Sequence, residues 1–196
     1  MTDVLTPAGV REALAKHGLR PRKALGQNFL VSARAARMMI ESLEPGADDF
    51  ILEIGPGLGA LTAGLAAAAG AVAAVEIDQS LIPVLSETVS GYNNVKIIRG
   101  DALRLDITEL LGSRPAYKAA GSLPYYITGP ILERLLNGAA RPSLAVFLVQ
   151  KEAAERFAAR PGDPGYGVMS LLVQMNAGIE IAAHITPDAF YPQPGV

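Results

Sequence analysis

The 196-residue chain has no cysteine, which excludes disulfide frameworks and thiolate metal sites. Its N-terminus has no apolar signal core, and with the missing cysteine this points to a cytoplasmic protein. Histidine is scarce: His17 and His184 fall in no motif and read as surface or structural groups. No metal site is expected. Only 18% of residues are charged, and a formal net charge of −2 gives no global sign of a nucleic-acid partner. The one long uncharged stretch, Ile54 to Val75, is interrupted by Pro56 and several glycines and is far richer in alanine than in leucine. A glycine loop, a helix and a strand explain it better than a membrane span. No internal repeat is found.

What is present is organised around Ile51-Leu52-Glu53-Ile54-Gly55-Pro56-Gly57-Leu58-Gly59. The apolar run Phe50 to Ile54 reads as a buried parallel strand. Leu58, Leu61 and Leu65 recur at helical spacing, which predicts a helix starting inside the glycine loop with its N–H groups aimed at a ligand. Further strands are predicted at 71–77, 95–98, 117–121 and 144–149, and helices at about 32–43, 81–89, 107–111, 131–136 and 152–159. The segments 171–173 and 179–185 are elements of open type, and the proline-punctuated tail from Phe190 is extended. Alternating strands and helices predict an α/β domain with an open, mainly parallel sheet covered on both faces. The domain is placed at 46–196, with 1–45 as a helical, basic segment packed on it.

Such sheets bind ligands at the carboxyl ends of their strands. Gly55, Glu76, Asp101 and Ser122 all fall at predicted strand ends. Glu76 and Asp78 stand about twenty residues past the glycines, where a ribose-binding carboxylate is expected. Gly100-Asp101-Ala102 suits an adenine, with a carboxylate to accept and a backbone N–H to donate. Glu53 can meet a cationic ligand or orient the loop. The glycine spacing also satisfies the loose dinucleotide fingerprint, so an NAD-dependent oxidoreductase is an alternative. Ser122-Leu123-Pro124-Tyr125 has no evident use in hydride transfer. It suits methylation of an adenine amine: oxygen acceptors draw the N6 lone pair toward the methyl group, and an aromatic ring stacks the base. The same residues could instead be a strand-ending turn with core aromatics.

Residues 11–40 hold seven Lys/Arg against Glu12, a local +6 that leaves −8 for the rest. Arg20, Arg22 and Lys23 in this run are candidate phosphate contacts, although a solvated helix face looks similar.

Together these motifs resemble the ribosomal RNA adenine N6,N6-dimethyltransferases of the KsgA type and the related erythromycin-resistance methylases. The likeness runs from Pro21 to the last residue. It rests on Leu25-Gly26-Gln27-Asn28-Phe29-Leu30, the glycine stretch, Glu76-Ile77-Asp78, Gly100-Asp101-Ala102, Leu123-Pro124-Tyr125, Gln150 to Arg156 and Phe190-Tyr191-Pro192-Gln193-Pro194. The resemblance implies a Rossmann-like class I methyltransferase fold that uses S-adenosyl-L-methionine and releases S-adenosylhomocysteine. It implies cofactor contacts from Asn28, Leu30, Gly55, Gly57, Glu76, Ile77, Asp101, Ala102 and Ser122. Ser122, Pro124 and Tyr125 would be catalytic, with the Pro124 carbonyl as an amine acceptor. Arg20, Arg22, Lys23, Tyr126 and Phe190 would touch RNA. The implied partner is small-subunit ribosomal RNA in an immature subunit, met by a monomer with no membrane attachment. The implied target is two adjacent adenines near the 3′ end, linking the enzyme to ribosome biogenesis. An alternative is a non-catalytic assembly factor of the same fold. Two departures stand out: Ser122 replaces the family's usual Asn, and the small C-terminal helical domain of similar proteins is expected to be absent.

Overall fold

The computed structural model describes residues 3–195. Met1, Thr2 and Val196, the outer ends of the two segments inferred above, lie outside the described residues. Helix α1 (Pro7–Lys16) starts at Thr6, whose Oγ1 accepts from Gly9 N at 3.0 Å. Helix α2 (Ala33–Leu43) starts as expected at Ser32, whose Oγ accepts from Ala35 N at 3.2 Å. The central strands are β2 (Phe50–Ile54), β3 (Ala71–Glu76), β4 (Val95–Arg99), β5 (Lys118–Ser122) and β6 (Leu144–Leu148). They form one parallel sheet in the order β4-β3-β2-β5-β6. Strand β2 is central, and the order reverses between it and β5.

Alternate strand residues feed two separate cores, as a sheet covered on both faces requires. Ile51, Val72 and Ala120 face one core, with Met39 and Leu43 of α2 and Leu65 of α3 (Thr62–Ala68). Leu52, Ala73 and Ala119 face the other, with Tyr117, Ile131 and Leu135. Burying each such leucine contributes about 1.5–3 kcal/mol. Helix α2, assigned above to the N-terminal segment, is thus part of the sheet's own core. Val10, Ala13 and Leu14 of α1 join a third cluster with Phe29, Leu58 and Leu81.

Helix α4 (Ile82–Thr88), α5 (Ile107–Leu111) and α7 (Lys151–Ala158) match their predicted places. The open segment at 171–173 lies in helix α8 (Val168–Gln174), whereas 179–185 has no regular structure. The largest difference is α6, which spans Tyr125–Asn137 rather than starting at Ile131. Pro124 sets its first turn with φ −57°, and Pro124 O accepts from Ile127 N at 3.2 Å and Thr128 Oγ1 at 3.0 Å. Pro130 inside the helix forgoes a bond to Tyr126 O, which lies on an exposed turn open to water. The tail forms β7 (Phe190–Tyr191), antiparallel to β1 (Phe29–Leu30).

Candidate functional site

The carboxyl ends of β2 to β5 open into a cavity of about 330 Å³ across the switch point. Gly55 and Gly57 line it after β2, and Glu76 and Ile77 line it at the end of β3. Asp101 and Ala102 line it after β4, and Ser122 and Pro124 after β5. Asn28 and Leu30 cover it from the N-terminal segment, so all nine expected cofactor residues meet in one place. Tyr126 also reaches the wall. Tyr125 is not among the lining residues and stands 55% exposed.

The polar groups are arranged tightly. Glu76 is buried, with Oε2 accepting from Gly57 N at 3.0 Å and Oε1 from Asp78 N at 2.8 Å. Burial pushes its carboxyl above the usual range, and these backbone N–H groups oppose the shift. Gly55 N donates to Val75 O at 3.0 Å and Gly59 N to Pro56 O at 2.9 Å. The N–H groups of all three loop glycines are therefore used within the protein. Helix α3 starts only at Thr62, past the loop, rather than inside it as expected. Gly57 has φ +59°, and a Cβ there would meet the Phe29 ring at 3.3 Å, so only glycine lets this cover close.

Glu53 is 1% exposed between Ala74 and Ala120, and its Oε2 has no partner among the described residues. Burial pushes its pKa from 4.5 to about 8, with the Glu76 charge adding to the rise. The Thr62 hydroxyl opposes this, although its geometry falls short of a hydrogen bond. The folded protein thus holds a proton that the unfolded chain loses above pH 4.5, and stability falls as pH rises from there to about 8. Glu53→Gln should flatten that slope and raise the melting temperature at pH 8 but not at pH 4.5, an effect of at most about 4 kcal/mol. Equal gains at both pH values would show that Glu53 does not titrate in this window.

No lysine, arginine or histidine lines the cavity among the described residues, while Glu53, Glu76 and Asp101 do. A pyrophosphate would meet acidic side chains, no basic one and no free N–H of the three loop glycines, which disfavours the dinucleotide alternative. The donor set fits a phosphate-free, cationic nucleoside, and a cation would draw the Glu53 carboxyl toward its ionised form.

Other expected roles are redistributed. The Pro124 carbonyl, expected to accept from an amine, is committed to Ile127 N and Thr128 Oγ1 and has no lone pair left. The adjacent Leu123 carbonyl receives no internal donor among the described residues, although its own N–H bonds Leu148 O at 2.9 Å. Ser122 Oγ likewise has no protein partner there. Phe190, expected at an RNA surface, pairs with Leu30 in the β1–β7 ladder and packs half-buried on the core. Arg20, Arg22 and Lys23 are all exposed, and Arg22 is in addition tied to Asp78, Nη1 to Oδ1 at 3.2 Å. Asp78, which shares the expected ribose-binding position with Glu76, is instead bonded to Arg22 and Gln27, partners more than fifty positions away in sequence.

Residues 18–196 match the family described as ribosomal RNA adenine dimethylase. The whole chain is 44% identical to ribosomal RNA small subunit methyltransferase A of Pelotomaculum thermopropionicum, covering 70% of that protein. It is 39% identical, over 99% of its length, to the protein of the same name in Listeria monocytogenes, covering 68% of it. A dimethyladenosine transferase from Plasmodium falciparum superposes with TM-score 0.73 at 26% identity, over 84% of this chain and 58% of that one. The 23S rRNA methyltransferase ErmE superposes with TM-score 0.68 at 30% identity, over 86% of this chain and 66% of that one.

Proposed function

Because the chain belongs to the ribosomal RNA adenine dimethylase family, we propose that it methylates the N6 amines of two adjacent adenines near the 3′ end of small-subunit ribosomal RNA. It is a class I, S-adenosylmethionine-dependent enzyme by this reading. The observation that carries it is the cavity with no basic side chain in its lining and with the free oxygens of Ser122 and Leu123 at the end of β5.

When bound, S-adenosylmethionine supplies an electrophilic methyl group on a positively charged sulfur. Glu76 accepts from the ribose hydroxyls with the lone pairs that Gly57 and Asp78 leave free. Asp101 and the Ala102 backbone hold the adenine, and the exposed Ile77 side chain covers its face. Asn28 and Leu30 close the cavity from above, and Gly55 lies under the ligand. Glu53 balances the positive charge.

At the mouth, the Tyr125 ring stacks the target base, a contact typically worth about 1–3 kcal/mol. Tyr126 extends that aromatic surface. Ser122 Oγ and the Leu123 carbonyl, in place of Pro124, accept from the two N6 hydrogens. The nitrogen lone pair would then localise, ready to take up the methyl group as the methyl–sulfur bond breaks and S-adenosylhomocysteine leaves. The methylated nitrogen is acidic and loses its proton to water, so no strong base is needed. Catalysis consists of orientation plus fixed dipoles matched to the transition state. The second methylation uses a second cofactor molecule. Arg20 and Lys23 meet RNA phosphates, and the enzyme acts as a monomer on immature subunits in the cytoplasm. Among the described residues no helix is long and apolar enough to cross a membrane.

The test is single-turnover transfer of labelled methyl groups to immature small subunits. The expected product is N6,N6-dimethyladenosine. Tight subunit binding without any methyl incorporation would overturn the enzymatic reading in favour of an assembly factor.

A further inference from the structure

Residues 22–28 form a roof across the cavity. At one end Gly26, with φ +62°, lies so close to the start of α6 that a Cβ would meet Pro124 Cβ at 3.0 Å and Tyr126 Cε1 at 3.7 Å. At the other end Gln27 Nε2 donates to Asp78 Oδ2 at 2.8 Å, and Arg22 Nη1 donates to Asp78 Oδ1 at 3.2 Å. Arg22 N donates to Gln27 Oε1 at 2.8 Å, which turns the Gln27 amide so that its NH₂ faces Asp78. The remaining hydrogen bonds of the segment are internal: Leu25 N and Gln27 N to Arg22 O, Gly26 N to Lys23 O, and Asn28 Nδ2 to Gly26 O. Among the described residues, the hydrogen bonds that tie 22–28 to the rest of the protein all end on Asp78.

Asp78 is built for this. Its side chain is 2% exposed, and its own N–H donates to Glu76 Oε1 at 2.8 Å. Burial pushes its carboxyl upward, but hydrogen bonds from Ser80 and Gln27 and the Arg22 charge outweigh that and hold it below the usual range. It therefore stays ionised. Ser80 occupies only Oδ1, through its N at 3.0 Å and Oγ at 2.6 Å, so capping the following turn leaves Oδ2 to Gln27.

We propose that Asp78 is a positioning residue that latches the 22–28 roof through Gln27 and Arg22 and so sets how long the cofactor stays in the cavity. This rests on the cofactor reading given above. Opening the latch frees the roof that carries Asn28, while Glu76 and Asp101 stay in place below. Arg22 matters because it touches the latch without lining the cavity.

The probe is S-adenosylhomocysteine, titrated by calorimetry and followed by stopped-flow displacement with the parent chain, Asp78→Asn, Arg22→Ala and the double variant. Asp78→Asn should weaken binding by about tenfold, mainly through faster dissociation, the loss expected for a charge-assisted hydrogen bond. Arg22→Ala should weaken it by about threefold, as for one exposed ion pair. The double variant should be no worse than Asp78→Asn, because both open one latch. Amide exchange at residues 23–28 should accelerate in each. Parent-like affinity and exchange in Arg22→Ala overturns the latch, whether or not Asp78→Asn folds. Additive losses in the double variant reduce Asp78 to a turn cap and also overturn it. A parent chain that does not bind S-adenosylhomocysteine refutes the cofactor reading itself and the latch with it.

Discussion

Glu76→Ala is expected to weaken S-adenosylhomocysteine binding by about 10- to 100-fold, as befits loss of a charge-assisted acceptor worth roughly 1.5–3 kcal/mol. The carboxylate is 4% exposed, and its ionised form is held by Gly57 N and Asp78 N. Each oxygen keeps a lone pair for a ligand hydroxyl. Alanine would also strand those two N–H groups, at about 1–3 kcal/mol for each that water cannot reach. Melting temperature should therefore fall together with affinity. Calorimetric titration beside a thermal melt separates the two effects. A lowered melting temperature with an unchanged dissociation constant would leave Glu76 as an organiser of the glycine loop and remove it from the ligand.

Ser122→Ala should slow methyl transfer on the order of 100-fold, the cost of removing one preorganised polar contact in a transition state. The hydroxyl has no protein partner among the described residues, so stability should be unchanged. RNA binding should change little, because the Tyr125 ring and the phosphate contacts remain. The lost bond is tighter when N6 becomes pyramidal, so the effect falls on the rate at saturation. Ser122→Asn should retain activity by offering a longer oxygen acceptor. Pre-steady-state transfer with saturating cofactor and RNA measures this. A parent-like rate for Ser122→Ala would leave the Leu123 carbonyl and base stacking as the catalytic contacts.

The strand ends were legible because each is a local pattern. Phe50 to Ile54 is an apolar run stopped by glycine, and Gly100-Asp101 and Ser122-Leu123-Pro124 each follow another such run. The start of α6 was not legible. Gly129-Pro130 reads as a break, yet Thr128 closes the preceding turn onto Pro124 O. The pairing of Phe190 was not legible for a similar reason: it is decided by Leu30, 160 positions away.

By itself the sequence determined the order of the five sheet strands and of most helices between them, the sheet edge where chemistry gathers, and the family. Periodicity and glycine spacing act over a few residues, and they suffice for that. Tertiary structure alone decided how the polar groups are used. The β3 and β5 neighbours bury Glu53 and keep it protonated. Glu76 takes up the Gly57 N–H, a donor that the glycine spacing alone leaves open to a phosphate. Thr128 takes the Pro124 carbonyl and leaves that of Leu123, and Asp78 gathers Arg22 and Gln27 from across the chain. The charge of a carboxylate and the freedom of a carbonyl depend on which atoms crowd them in space, and those atoms come from distant parts of the sequence.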